Sequence, residues 1–187
     1  MKGGGDMDEE LGSASVREQL IAAGTAELEA HGIADFSLRR VAAACNISCA
    51  APYKHFKNRG EFINSIFAYI KNQLDLLLDQ VKKVYPDDPK MQLIESCMAY
   101  IRFCTANPHF RAVLMLAGGE LPLAGRVKKL VPLCLAEMSK EKQEDRCCVI
   151  RSVAYGAALM LERGEIEYNE AMMRRIRESI ARELESR

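Results

Sequence analysis

Hydrophobic residues along this chain recur at intervals of three and four, the spacing that places side chains on one face of an α-helix. The first such face would hold Val16, Leu20, Ala23, Gly24 and Leu28. No convincing run of alternating β-branched residues occurs. The pattern therefore predicts an all-α fold.

Capping residues, glycine and proline predict where the helices begin and end. Ser15 and Glu18 form an S-x-x-E capping box, and Gly32 suits the left-handed residue that closes the first helix. Asn107 and Pro108 should end one helix and begin the next. Long helices are predicted by the stretches without glycine or proline, which are residues 61–85, 90–107, 133–155 and 165–187. A further helix is expected over residues 123–140, interrupted or kinked near Pro132.

Two short helices are predicted between residues 37 and 60. Ser37 can cap a helix that continues to Cys45. Asn46 tolerates the left-handed conformation that follows a helix end, and Ser48 can cap a second helix soon afterwards. Two helices joined by so short a turn form a helix-turn-helix, which places its second helix in the major groove of DNA.

The charge pattern changes in the same segment. Over the whole chain, 26 basic and 26 acidic side chains give a formal net charge of zero. Residues 37–60 contain no acidic side chain and five basic ones, namely Arg39, Arg40, Lys54, Lys57 and Arg59. Because this basic cluster coincides with the helix-turn-helix, the segment is predicted to bind the phosphates of DNA.

The stretch from Phe36 to Phe62, FSLRRVAAACNISCAAPYKHFKNRGEF, resembles the N-terminal DNA-binding domain of the TetR family of transcriptional regulators. The resemblance runs without gaps from about Val16 to Phe62, and its most specific part is similar to the family's VS…YxHFxxK signature. It implies a cytoplasmic homodimer that binds a palindromic DNA operator, in most cases as a repressor. It also implies release from DNA by a small-molecule effector of unknown identity.

The resemblance assigns roles to individual residues. The recognition helix would run from about Cys49 to His55, with Tyr53 and Arg59 on phosphates. Arg39 and Lys54 would face base edges, where they can donate to guanine. Cys49 and Gly60 depart from the family pattern, and a redox switch at Cys49 is the alternative to a small residue that fits against DNA. The predicted DNA-binding set is Ser37, Arg39, Arg40, Ser48, Cys49, Ala50, Ala51, Tyr53, Lys54, His55, Lys57 and Arg59.

We expect three parts: a flexible arm over residues 1–15, a helix-turn-helix DNA-binding domain over 16–62, and a helical ligand-binding and dimerisation domain over 63–187. The last part is rich in methionine and aromatic residues, which suit a plastic apolar pocket and equally suit an ordinary core. The predicted pocket residues are Met98, Arg102, Phe103, Phe110, Met115 and Tyr155.

The last two predicted helices, over residues 142–163 and 165–186, carry small residues and an apolar stripe. Small side chains let two helices approach closely, and an exposed apolar stripe requires a partner. The predicted dimer interface is Ala154, Ala157, Ala158, Met173, Ile176, Ile180 and Leu184. A monomer in which these residues pack internally is the alternative.

Other classes of function receive little support from the sequence. Seven cysteines show no disulfide framework and no spacing typical of a metal site, and we expect no cofactor. No hydrolase, phosphate-loop or metalloprotease motif is found, and no stretch of eighteen apolar residues suggests a membrane span. The alternative to a regulator is a helical small-molecule-binding protein or enzyme with a vestigial helix-turn-helix.

Overall fold

A computed structural model describes residues 15–116 and 120–185, apart from the side chains of Ala112 and Met115. Within these two ranges the chain forms eight α-helices, one 3-10 helix and no β-strand, so the predicted all-α fold is confirmed. The α-helices are α1 (Val16–His31), α2 (Leu38–Ala44), α3 (Arg59–Val84), α4 (Pro89–Ala106), α5 (Pro108–Leu116), α6 (Pro122–Cys134), α7 (Lys140–Glu162) and α8 (Glu170–Arg182). The 3-10 helix, Ala51–Lys54, lies between α2 and α3.

The chain divides into two compact units, residues 1–67 and 68–187. The division falls within α3, which contributes residues to both units. The sequence alone predicts a boundary slightly earlier, after residue 62. The predicted flexible arm lies outside the described residues, apart from Ser15.

In the first unit, α1 begins and ends as predicted. The Ser15 hydroxyl accepts the N–H of Glu18 at 3.3 Å, and the Glu18 carboxylate accepts the N–H of Ser15 at 2.8 Å. This is the reciprocal capping box. Gly32, with φ of 68°, ends the helix in a conformation that glycine adopts without a steric penalty.

Three phenylalanines form the centre of the first unit. The rings of Phe56 and Phe62 stack with centroids 4.2 Å apart, and the ring of Phe36 meets Phe62 edge-on at 5.7 Å. The start of α3 reaches α1 at Gly24, where a Cβ atom would lie 2.7 Å from Ile66 Cδ1. Glycine at this position therefore permits close packing of the two helices.

The second unit is organised around α4, whose face toward α6, α7 and α8 is buried. Ion pairs connect further helices of the unit. Arg111 on α5 pairs with Glu162 on α7, and Arg146 near the start of α7 pairs with Glu183 after α8. These contacts fix the packing of the unit at both ends of α7.

Two helix boundaries in the second unit differ from the prediction. The helix with Pro132 near its end, α6, stops at Cys134, and Ser139 then caps α7 by accepting the N–H of Lys142. The last helix begins at Glu170 because Gly164, with φ of 68°, ends the preceding helix and Asn169 provides the next cap. None of the helices in the described ranges has the length and hydrophobicity that crossing a bilayer requires.

Candidate nucleic-acid interface

The turn after α2 follows the sequence prediction. Ser37 precedes the helix, and its hydroxyl accepts the N–H of Arg40 at 3.4 Å. After the helix, Asn46 has φ of 54°, in the left-handed region. The N–H of Ile47 then donates to the carbonyl of Ala42 at 3.0 Å, which closes the turn.

The second helix of the motif is shorter than predicted. A helix from Cys49 to His55 was expected, but only the 3-10 helix Ala51–Lys54 forms, and no side chain caps it. Pro52 explains the difference, because it has no N–H to donate to the Ser48 carbonyl and disfavours the α conformation at the residue before it. The predicted cap by the Ser48 side chain is therefore wrong; its carbonyl instead accepts the N–H of Ala51 at 2.9 Å.

Three cations are exposed on these elements and form no ion pair with any described acid: Arg39, Lys54 and Lys57. Tyr53 lies between them in the sequence with 58% of its surface exposed. The smaller predicted contacts are exposed at Ser48, Cys49, Ala50 and His55 and half-buried at Ser37 and Ala51. The first unit therefore presents a positive surface, which we call the basic surface and define as Arg39, Tyr53, Lys54 and Lys57.

Arg40 has a structural partner that reasoning from the sequence missed. Its guanidinium pairs with Glu27 of α1, which is only 8% exposed and also accepts the N–H of Ser37 at 3.0 Å. Burial alone would raise the pKa of Glu27, but its hydrogen bonds with Arg40 and Ser37 and the charges of Arg40 and His31 lower that pKa overall. A buried acid one turn from Gly24, on the apolar face of α1, was the signal that could have revealed the pair.

Arg59 likewise has partners within the first unit. Its guanidinium donates to the carbonyl oxygens of Phe36 at 3.0 Å and Ala34 at 2.9 Å, and also to that of Ile33. These bonds hold the segment between α1 and α2 against the start of α3. The phosphate contacts predicted for Arg40 and Arg59 stay predictions, and each guanidinium would have to share its donors with these partners.

The start of α3 is capped by its own residues. Asn58 Oδ1 accepts the N–H of Glu61 at 2.9 Å, and the Glu61 carboxylate accepts the N–H of Lys57 at 2.8 Å. The Glu61 carboxylate therefore places a negative charge at the helix N-terminus, where the helix dipole favours an anion. This arrangement leaves the side chain of Lys57 free for a phosphate.

The predicted pocket residues in the second unit are dispersed. Met98 is fully buried, Phe103 packs on Phe110 with ring centroids 5.9 Å apart, and Arg102 is exposed near Glu95. Tyr155 is half-buried, and the side chain of Met115 lies outside the described residues. Two clefts among the described residues measure about 710 Å³ and 570 Å³, and Met98, Arg102, Phe103, Phe110 and Tyr155 line neither of them.

Most of the predicted dimer residues are buried within one chain. Ala154, Ala158 and Ile180 have no exposed surface, Ala157, Ile176 and Leu184 have at most 7%, and Met173 is half-buried. They are used within one chain, where α7 packs against α4 and α8. The apolar residues that α7 exposes are instead Val149, Leu159 and Met160, and beyond Gly156 on the same helix there is open space.

Residues 20–66, which include α1, α2, the 3-10 helix and the start of α3, match the family model for bacterial regulatory proteins of the tetR family. This part of the chain is therefore similar to the N-terminal region of tetR-family transcriptional regulators. A probable acrEF/envCD operon repressor from Escherichia coli K12 is 25% identical to this chain over 100 residues. That match covers 54% of this chain and 46% of the relative, a little under half of its length.

Solved TetR-family structures share the fold of this chain. A TetR-like transcriptional regulator from Rhodococcus sp. RHA1 aligns with a TM-score of 0.71 at 17% identity, covering 92% of this chain and 95% of the other. A TetR family transcription regulator from Marinobacter aquaeolei VT8 aligns with a TM-score of 0.66 at 14% identity, covering 89% and 94%. Among the described residues, no three His, Cys, Asp or Glu side chains form a group that could hold a metal ion.

Proposed function

We propose that this chain is a TetR-family transcriptional regulator that represses transcription as a homodimer, binds a two-fold symmetric operator and is released by a small molecule. The observation that carries the proposal is the basic surface, which lies on the helix-turn-helix within a segment that contains no acid. Cations that have no acidic partner in the protein remain available for DNA phosphates.

The basic surface draws its cations from two elements and the residues after them. Lys54 belongs to the 3-10 helix and Arg39 to the first turn of α2, so two elements contribute cations. Next to Lys54, Ala50 and Ala51 have small side chains that can contact thymine methyl groups. A second element with only four helical residues makes few base contacts, so we expect DNA shape to contribute to specificity.

Dimerisation supplies the contacts that one copy lacks. Two copies related by a two-fold axis read two half-sites about 34 Å apart, one turn of DNA. In the proposed dimer the interface uses the exposed face of α7 with Val149, Leu159 and Met160. Open space at Gly156 allows a helix of the second copy to approach the backbone.

Release by an effector requires that the second unit influences the first. Because α3 contributes residues to both units, a ligand that displaces residues 68–84 would change the position of the recognition elements. Coupling of this kind is typically worth about 1 to 3 kcal/mol. The effector binds in the second unit.

The DNA claim is tested with Lys57→Ala, using fluorescence anisotropy on a labelled duplex at several salt concentrations. We expect weaker binding and a slope of log K against log salt that is smaller by about 0.9, because one phosphate contact is lost. Lys83→Ala, at the exposed end of α3, is the matched control and should bind like the parent. Equal slopes for all three proteins, or no binding by the parent, would contradict the proposal and favour a small-molecule-binding protein.

A further inference from the structure

Two tyrosine hydroxyls are buried without a hydrogen-bond partner in the second unit. They belong to Tyr100 on α4 and Tyr155 on α7, whose ring centroids lie 5.2 Å apart at an interplanar angle of 56°. In the part of the chain that the structure describes, these are the buried side-chain oxygen and nitrogen atoms that lack a partner. Tyr100 is fully buried.

Burying these hydroxyls costs free energy, because each has lost its hydrogen bonds to water and forms no hydrogen bond within the protein. Cys97 and Cys104 lie on the same face of α4 as Tyr100, but thiols are weak partners. Burial, with the neighbouring Cys104 and Tyr155, raises the pKa of Tyr100, and burial also raises that of Tyr155. Both hydroxyls therefore remain protonated at neutral pH, and each has a proton to donate.

Two arginines act electrostatically on the two hydroxyls. Arg111 acts on Tyr100, and its guanidinium is held by two hydrogen bonds to the Glu162 carboxylate, one of them from Nη2 to Oε1 at 2.8 Å. Arg151 acts on Tyr155, and its Nε donates to the carbonyl oxygen of Cys147 at 3.1 Å.

We propose that Tyr100 and Tyr155 form the polar end of the effector site and bind the carbonyl oxygen of a largely apolar molecule. A carbonyl oxygen has two lone pairs and can accept one hydrogen bond from each hydroxyl. The rest of the ligand would contact apolar side chains that α4 and α7 bury. This inference rests on the proposed function, because it names the class of molecule that releases the regulator.

The arrangement also explains how binding would alter the unit. The two hydroxyls belong to different helices, α4 and α7, which pack directly against each other. A carbonyl that enters between them supplies the missing acceptor and changes the spacing of the two helices. The conformation without ligand is the one that leaves both donors unsatisfied, so ligand binding shifts the population away from it.

The test uses the full chain and compares the parent with the double variant Tyr100→Phe/Tyr155→Phe. The probes are cyclohexanone, which has a carbonyl, and methylcyclohexane, which has a similar apolar ring and none. Thermal unfolding at increasing probe concentration gives an apparent Kd for each probe with each protein. We expect the Kd of cyclohexanone to be at least tenfold higher for the double variant and that of methylcyclohexane to be unchanged. Tyr168→Phe, whose ring is exposed, is the control and should behave like the parent.

Three outcomes would overturn the inference. The first is that cyclohexanone binds the parent and the double variant equally. The second is that it binds neither protein. The third is that the double variant is less stable than the parent in the absence of any probe. The last result would show that the hydroxyls already have partners, such as a buried water. DNA binding by the parent, measured separately, distinguishes these failures from failure of the proposed function, because the basic surface does not include either tyrosine.

Discussion

Glu27 is a charged residue on the buried face of α1, and its position is stabilised by two kinds of partner. The N–H of Ser37 and the guanidinium of Arg40 both donate to it, so one carboxylate connects α1 to the start of α2. The first element of the helix-turn-helix is therefore oriented by an interaction outside the motif. Glu27 is not one of the residues of the basic surface, but its bonds to Ser37 and Arg40 orient the helix that carries Arg39.

Replacing Glu27 by Gln should lower the free energy of unfolding by about 1 kcal/mol at pH 7, since the charge is lost while an acceptor oxygen remains. The folded-state pKa of Glu27 lies below its usual 4.5, so its contribution is present above pH 4.5 and is lost as the pH falls through the folded pKa. Urea unfolding at pH 7 and pH 3.5 should show a difference between parent and variant that shrinks at the lower pH.

Glu178→Gln is the control, because Glu178 is exposed and has no ion pair with a described residue. It should unfold like the parent at both pH values. A difference between parent and Glu27→Gln that stays constant or grows at pH 3.5 would contradict the assignment of the ionised carboxylate to this role.

Local residue preferences were readable from the sequence, whereas distant partners were not. Ser15, Gly32 and Asn46 act through their own backbone or residues a turn away, so residue type and spacing were sufficient. The partner of Arg40 lies thirteen positions earlier in the chain and belongs to another helix. No local pattern distinguishes an arginine that is free to bind phosphate from one held by an acid on a neighbouring helix.

At the scale of elements, the lengths of the helices determine what the site presents. Pro52 limits the second element of the helix-turn-helix to Ala51–Lys54, while α3 begins only a few residues later. The helix periodicity predicted the existence and type of these elements. Their exact extent depended on proline and on caps, which explains why the recognition helix and α8 were predicted too long.

The start of α3 depends on Asn58, whose side chain accepts the N–H of Glu61. Asn58→Ala should therefore destabilise the protein by about 1 kcal/mol, because that N–H loses its partner. Thermal and urea unfolding monitored by circular dichroism measure the change. Asn58→Asp keeps an acceptor at the same position and should retain most of the stability; an Asp variant as unstable as the Ala variant would show that the cap is not responsible.

At the scale of the whole molecule, the sequence predicted a DNA-binding unit and a second helical unit. The family match over residues 20–66 supports the first, and the shared fold supports the helical architecture. A single sequence does not show whether an apolar stripe faces a helix of the same chain or a second copy, so the dimer residues stay a prediction. Ala154, Ala158 and Ile180 are buried within the protomer.

The central claim is that two copies of the basic surface bind two-fold symmetric DNA. Selection from a random duplex library with the purified full chain, followed by sequencing, tests it most directly. We predict enrichment of one sequence with two inverted half-sites whose centres are separated by about one turn of DNA or a multiple of it. Failure to enrich any sequence, or enrichment of a single site without symmetry, would contradict the claim.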